Sequence, residues 1–326
     1  MKVLITGATG FLGEWIVKES VARGYEVHIL VRKTSDLEKI KNLPITTHTG
    51  DVTDLESINL ACKNMDAVFH LAGLISYKKS AKESMYAVNV GGTKSVLSAC
   101  IKNNIRTLVY LSSVTAIGSS FKPVPLNEES SYNIANLHLG YFDTKHEAEN
   151  LVMAAYKEGT IDPVILNPST IYGAGDATKS SRKIQMQVAK GKFPFYTPGG
   201  VNVVHIEDVV KGFFLAFDKK IFGERIILAG DNLTIKTLFR IIAEASGVTP
   251  PSILLPKLLL RGIGLIGDSF EALHLKGPIG SETAWTSSLY HWFDNTKAKQ
   301  QLGIDFQPST EAIKQSVTWA KENGFI

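Results

Sequence analysis

The stretch VLITGATGFLGEWIVKESVARG, residues 3–24, joins an apolar β-branched run to a helix-period segment through Gly7, Gly10 and Gly13. Glycine at such a junction lets the chain turn tightly, lets backbone approach a pyrophosphate, and lets the helix press on the strand. The helix start then offers N–H groups and the positive end of a dipole to phosphate. A glycine triplet alone also marks ordinary turns. Here the strand before it and the helix after it point to dinucleotide binding.

The alternation continues outward from this loop. KVLIT (2–6), EVHILV (26–31), ITTHTG (45–50), AVFHLA (67–72), TLVYLSS (107–113) and PVILNP (163–168) read as strands. Helical periodicity runs over 11–23, 54–63, 84–103 and 143–158. Strands alternating with helices predict an α/β fold, a Rossmann-type doubly wound parallel sheet covered on both faces. Near Pro168 the rhythm breaks into a Gly/Ser-rich loop, a helix around 180–190 and the turn-rich KGKFPFYTPGGVN (190–202). A helix over 206–218 and the strand RIILAG (225–230) return to the sheet, and from 231 the pattern is helical and irregular. We therefore expect residues 1–167 and 202–230 to form an NAD(P)-binding domain. Residues 168–201 and 231–326 should form a smaller, discontinuous C-terminal substrate domain.

Bulk properties narrow the function. The 326 residues are 44% hydrophobic and 20% charged, which supplies a globular core. The net charge of +4 is scattered without a Lys/Arg block, so no nucleic-acid partner is expected. Cys62 and Cys100 lie in helical segments without metal-ligand spacing, which suggests packed thiols, a reducing compartment and no metal. MKVLITGATGFLG enters strand and glycine chemistry with no apolar leader, so a cytoplasmic location is expected. The greasiest stretch, ILLPKLLLRGIGLIG (253–267), is too short to span a bilayer and is interrupted by Pro256, Lys257 and Arg261. A packed amphipathic helix is expected there, with membrane-surface or dimer contact as alternatives. Stable membrane insertion is not expected; a homodimer is left open.

The spacing Gly-x-x-Gly-x-x-Gly in TGATGFLG resembles the short-chain dehydrogenase/reductase superfamily, in its extended branch. Further motifs follow in family order: GDVTD (50–54), HLAG (70–73), YAVNVGGT (86–93), LNPSTIYGAGD (166–176) and VVHIEDVVKG (203–212). The resemblance covers nearly the whole chain. It implies cofactor contacts at Gly7, Thr9, Gly10, Phe11, Leu12 and Gly13, and at Asp51 and Val52 beside the adenine. It implies others at Leu71, Ala72 and Gly73, and at Asn167, Pro168, Ser169 and Ile171. The end of the second strand bears on cofactor choice. An NAD enzyme would place an acid there for the ribose hydroxyls, but this chain has Val31 followed by Arg32 and Lys33. Cations beside the adenine ribose suit a 2′-phosphate, so NADP(H) is the preferred cofactor, with NAD(H) as the alternative.

GYFDTKHEAENLV (140–152) places Tyr141 four residues before Lys145, neighbours on a helix surface. With ten tyrosines in the chain, roughly one such spacing is expected by chance, so position must decide its meaning. In the superfamily a serine ends the fifth strand and the Tyr/Lys pair follows on the next helix. Ser113 stands there, with Ser112 and Thr115 as neighbours, and Thr144 replaces the family's serine before the lysine. The resemblance implies that Ser113 orients a substrate oxygen and that Tyr141 donates or accepts its proton. Lys145 would bind the nicotinamide ribose and lower the phenol's pKa, and Asn89 would hold a helix distortion or a water relay near it. His70 and His205 are expected to serve structure. LVRK, the LNPSTIYGAGD motif and the 28-residue gap from Ser113 to Tyr141 resemble the dihydroflavonol 4-reductase-like group, whose members reduce ketones of varied, sterol- or flavonoid-like substrates. The expectation is an NADP(H)-dependent oxidoreductase with a small-molecule substrate bound by loops at 74–84, 116–138, 170–201 and 253–293. The alternatives are an NAD-dependent nucleotide-sugar epimerase or dehydratase, and a noncatalytic cofactor-sensing protein.

Overall fold

Six strands open the chain: β1 (Lys2–Thr6), β2 (Glu26–Val31), β3 (Ile45–Thr49), β4 (Ala67–His70), β5 (Thr107–Leu111) and β6 (Asp162–Pro168). They come from a computed structural model that describes residues 1–178 and 182–326. With the strand Arg225–Leu228 they build a seven-stranded sheet in the order Arg225–Leu228, β6, β5, β4, β1, β2, β3. Every neighbouring pair is parallel. The order reverses between β1 and β4, and a doubly wound sheet opens a crevice for ligands at the carboxyl ends of such strands. The glycine loop leaves β1 at that point.

Both faces of the sheet are covered, as the continuous apolar strands require. On one face Val3, Ile5, Ile29 and Phe69 pack with Ile16 of the helix Phe11–Ala22 and with Phe213 of the helix Ile206–Asp218. On the other, Leu4, Val68, Leu108 and Ile165 pack with Ile58, Val96, Ala148 and Val152 from three helices. Cys62 and Cys100 are buried free thiols of this second core.

Several local expectations change. The single helix expected over 84–103 is three pieces, Lys82–Met85, a π-helical Tyr86–Gly91 and Gly92–Lys102. The periodic segment read over 143–158 is part of a helix from Gly140 to Lys157, which carries Tyr141 in its first turn, in line with the expected Tyr/Lys pair on one helix. A distant carboxylate explains the early start: the Gly140 N–H donates to Glu282 Oε2 at 3.1 Å, satisfying an otherwise unpaired helix-start donor. The helix expected around 180–190 is seen over Lys183–Ala189, and the part of it at 180–181 lies outside the described residues.

The turn-rich reading of 190–202 and the helical, irregular reading beyond 231 also need correction. Gly200–His205 is the centre of a second sheet, parallel to Thr170–Tyr172 and Tyr290–His291 and antiparallel to Asp231–Thr234. Phe195–Tyr196 pairs with Ile253–Leu254. Most of these strands are too short for periodicity to register, and their hydrogen-bond partners lie far away in sequence. Over this sheet a third core gathers Tyr172, Val203, Leu238, Ile242, Ile313 and Val317.

Candidate functional site

The glycine loop is shaped by contacts that exclude side chains. Gly7 has φ +73°, and a Cβ there would stand 2.6 Å from Ala72 N, against the segment that leaves β4. At Gly13 a Cβ would fall 2.0 Å from the Gly7 carbonyl oxygen, so helix and loop touch backbone to backbone. The Gly10 N–H closes the turn on that same carbonyl at 3.0 Å. The helix Phe11–Ala22 begins with Gly10 as its cap residue and no side chain capping it. Its positive end therefore faces the crevice between Gly7 and Leu71–Gly73, with Thr9 exposed at the rim and Leu12 buried beneath. This cradle fits a dinucleotide pyrophosphate.

The adenine side lies at the ends of β2 and β3. Arg32 and Lys33 are exposed after the buried Val31, and the Arg32 backbone N–H donates to Ser35 Oγ at 3.1 Å. Asp51 Oδ1 accepts from the Thr53 backbone N–H at 2.9 Å and from its hydroxyl at 2.8 Å, fixing the loop, while Val52 is buried. At the far end, the late-motif side chains turn inward. Asn167 is fully buried and donates from Nδ2 to the Ser113 carbonyl (3.0 Å) and to Glu149 Oε2 (2.6 Å). Ser169 donates to Asn202 Oδ1 at 2.6 Å, the Ile171 carbonyl accepts from Arg182, and Pro168 is buried between them. Asn167 and Ser169 thus spend their side chains on the protein itself.

Ser113, Tyr141, Lys145 and Asn89 converge at the carboxyl end of β5. Ser113 follows the strand in extended backbone, and its Oγ accepts from the Thr115 N–H at 3.2 Å. The Tyr141 phenol is 8% exposed and lies beside the hydroxyls of Ser113 and Thr115. Burial pushes its pKa up; the two hydroxyls act in the opposite direction and do not overcome burial. Lys145 is 5% exposed and donates from Nζ to the Leu111 carbonyl at 2.7 Å. Burial pushes its pKa down to about 8, against an opposing pull from Glu149. The expectation that Lys145 lowers the phenol's pKa is not met here: burial raises it, the opposing groups are the Ser113 and Thr115 hydroxyls, and the lysine is tied to the Leu111 carbonyl.

Asn89 sits in the π-helical segment, a distortion that often marks functional sites. Its amide clamps Leu74 from both sides, accepting from the Leu74 N–H at 2.8 Å and donating to its carbonyl at 3.0 Å. It also donates to Thr144 Oγ1 at 3.0 Å, and Thr144 donates in turn to the Tyr141 carbonyl at 3.0 Å. A Cβ on Gly73 would stand 3.4 Å from Asn89 Oδ1 and 4.0 Å from Lys145 Nζ, so the three are close neighbours. His70 is buried and bridges Thr6 Oγ1 (2.7 Å) and Thr93 Oγ1 (3.2 Å). Burial, with Lys145 second, pushes its pKa down to about 3, which keeps the ring neutral. His205 accepts from the Glu207 N–H at 3.1 Å at the start of its helix. Both histidines hold structure. Among the described residues no group of three or more His, Cys, Asp or Glu could hold a metal.

Two further residues were not singled out from sequence as parts of the site. Glu149 is fully buried, takes bonds from Asn167 and Arg225, and supports the charge on Lys145. Its signal was available, since Tyr141, Lys145 and Glu149 recur every four residues along one helix. Thr115 carried only a weak signal as a neighbour of Ser113. Its Oγ1 is buried without a hydrogen-bond partner among the described residues, although it stands beside the phenol. Buried hydroxyls are seldom left unpaired, and those that are call for an explanation. Beside the phenol lies an apolar and aromatic cluster of Met85, Ile134, Leu139 and Phe142, with the partly buried Tyr77 and Trp285 packed against it.

Known proteins resemble this chain over nearly its whole length. The family model described as NAD dependent epimerase/dehydratase family matches residues 3–230. Sterol demethylase protein B of Methylococcus capsulatus is 29% identical, over 100% of both chains. A protein of Synechocystis provisionally named dihydroflavonol 4-reductase is 28% identical, over 99% of this chain and 95% of its own. The crystal structure of gox2253 superposes with a TM-score of 0.87 at 30% identity, covering 99% of each chain. The chain thus belongs to the NAD dependent epimerase/dehydratase family, as an NAD(P)-dependent oxidoreductase of the extended short-chain dehydrogenase/reductase type.

Proposed function

We propose that this protein is an NADP(H)-dependent oxidoreductase that reduces the ketone or aldehyde of a small apolar substrate, in the manner of dihydroflavonol reductases. The observation that carries the reading is the buried Tyr141 phenol beside the Ser113 and Thr115 hydroxyls, with Lys145 one helical turn on. Ser113 orients the substrate oxygen. Tyr141 gives its proton to that oxygen, and the Ser113 and Thr115 hydroxyls beside it favour the phenolate left behind. When bound, the dinucleotide supplies the hydride. Gly7, Gly10 and Gly13 would admit its pyrophosphate, Asp51 and Val52 would flank the adenine, and Arg32 with Lys33 would meet a 2′-phosphate.

The partly buried Tyr77 and Trp285 of the apolar cluster beside Tyr141 support a substrate with a hydrocarbon or aromatic body. The names of the Methylococcus and Synechocystis relatives, sterol demethylase and dihydroflavonol reductase, point in the same direction. The test is mass spectrometry of nucleotide released from the purified protein, followed by ketone-dependent oxidation of NADPH and NADH with sterol and flavonoid ketones. Exchangeable nucleotide and faster turnover with NADPH are expected. Tightly retained NAD with no ketone reduction would overturn the reading in favour of an epimerase or dehydratase.

A further inference from the structure

The helix Lys257–Ala272 is held firmly on one side and bare on the other. Gly264 and Gly267 let it press onto the chain at 278–284: a Cβ at Gly264 would meet the Ala284 methyl at 2.9 Å, and one at Gly267 the Ile279 carbonyl oxygen at 2.1 Å. Arg261 stacks over the Trp285 ring at 3.9 Å. The opposite face carries Leu258, Leu259, Leu265, Ile266, Phe270 and, just past the helix end, Leu273. At 100° per residue these six fall within one continuous stripe of roughly 140°. Leu258 is 81% exposed, Leu265 66% and Leu273 69%. Ser269 lies within the stripe, and its hydroxyl is bonded to the Leu265 carbonyl at 3.1 Å.

The charges around this stripe have one prevailing sign. Asp268 and Glu271, the acids of the helix, point inward. Asp268 pairs with Lys79 at 2.7 Å and accepts from the Ser281 N–H, and Glu271 accepts from the Ser80 N–H at 2.7 Å. Near the helix the exposed lysines are Lys78 and Lys82 on the adjoining segment and Lys276 beyond its end, with Glu83 as an exposed acid in the short helix Lys82–Met85. An apolar helical face whose own acids are turned inward, with exposed lysines on the adjoining segments, fits a lipid surface with anionic headgroups. A second copy seated here by twofold symmetry would bring the same exposed lysines together. No described helix is long and apolar enough to cross a membrane, so the arrangement suits lying on a bilayer rather than spanning it.

The surface adjoins the candidate site. The helix touches the loop at 79–80 through Asp268 and Glu271, and that loop follows Leu74 and Ile75, exposed apolar residues next to Asn89 and Gly73. We propose that the face of Lys257–Ala272 docks this protein on an anionic membrane surface, with the mouth of the site at the lipid boundary. An apolar substrate could then enter from the bilayer. This use rests on the apolar-substrate reading; the docking itself rests on exposure and charge.

The test is cosedimentation of the full chain with vesicles of phosphatidylcholine alone and of phosphatidylcholine mixed with phosphatidylglycerol. The protein should bind the mixed vesicles, more weakly as salt rises. Leu258→Asp with Leu265→Asp should weaken binding by about tenfold or more, since each removes an apolar contact and adds a charge. Lys78→Glu with Lys276→Glu should weaken binding to the mixed vesicles only. Nucleotide affinity, measured by titration, should be unchanged in all variants, which keeps a failure of docking separate from a failure of the enzymatic reading. Absence of vesicle binding, binding indifferent to the leucine pair, or a solution dimer that the leucine pair dissociates would each overturn the proposal.

Discussion

Replacing Lys145 by methionine should remove activity and, at neutral pH, relieve a strain on stability. Its pKa is pushed from 10.5 down to about 8 by burial, so the folded protein disfavours the charged ammonium that the unfolded chain tolerates. At about 1.4 kcal/mol per pH unit, that gap corresponds to roughly 3 kcal/mol. The sign follows from a folded pKa below the unfolded one. Below pH 8 both states are protonated and the penalty is complete; it fades as pH rises from 8 toward 10.5. Methionine keeps the length of the side chain without the charge, but it abandons the bond to the Leu111 carbonyl, which costs about 1–3 kcal/mol. At pH 7 the variant should therefore be about as stable as the parent, or up to about 2 kcal/mol more stable. The pH dependence is the sharper quantity. Stability of the parent relative to the variant should rise by about 1 kcal/mol between pH 7 and 9, and by roughly 2–3 kcal/mol by pH 10. Urea unfolding followed by tryptophan fluorescence, without added nucleotide, measures it, and nucleotide titration should show weaker binding in the variant. A stability difference that stays flat from pH 7 to 10 would refute the buried, charged lysine.

Three other outcomes are expected. Tyr141→Phe should lower turnover by several orders of magnitude while leaving cofactor affinity nearly unchanged, because the phenol acts chiefly in the transition state; near-normal turnover would remove Tyr141 from the chemistry. Arg32→Ala should weaken NADPH binding far more than NADH binding in parallel titrations, and equal losses would mean that Arg32 meets no 2′-phosphate. Thr115→Val removes a buried hydroxyl that, among the described residues, stands beside the Tyr141 phenol without a partner in hydrogen-bonding geometry, so thermal stability should hold or rise slightly. Its turnover should nevertheless fall by about tenfold if the hydroxyl helps to hold the substrate oxygen beside Tyr141, and unchanged kcat would assign Thr115 to packing alone.

The amino-acid sequence by itself determined the main sheet and the place of the glycine loop. β1, β2 and β4 to β6 are apolar β-branched runs separated by segments of helical pattern, so the alternation could be read without partners. Gly7, Gly10 and Gly13 were legible by their spacing, and at Gly7 and Gly13 backbone contact leaves no room for another residue. The tyrosine–lysine spacing was visible, but composition allowed it by chance. Only the helix start at Gly140, fixed by a carboxylate 142 residues away, sets Tyr141 in the first turn facing Ser113. Tertiary structure alone decided the second sheet around Gly200–His205, whose hydrogen bonds reach strands distant in sequence. It alone decided the π-helical turn that aims Asn89 at Leu74 and Thr144. The bare face of Lys257–Ala272 belongs with these. Periodicity identified an amphipathic helix, but which side is buried depends on where Gly264 and Gly267 meet the chain at 278–284. Local propensity and pattern act over a few residues; burial, long-range pairing and pKa are set by what the folded chain brings near, and there a single sequence has little to say.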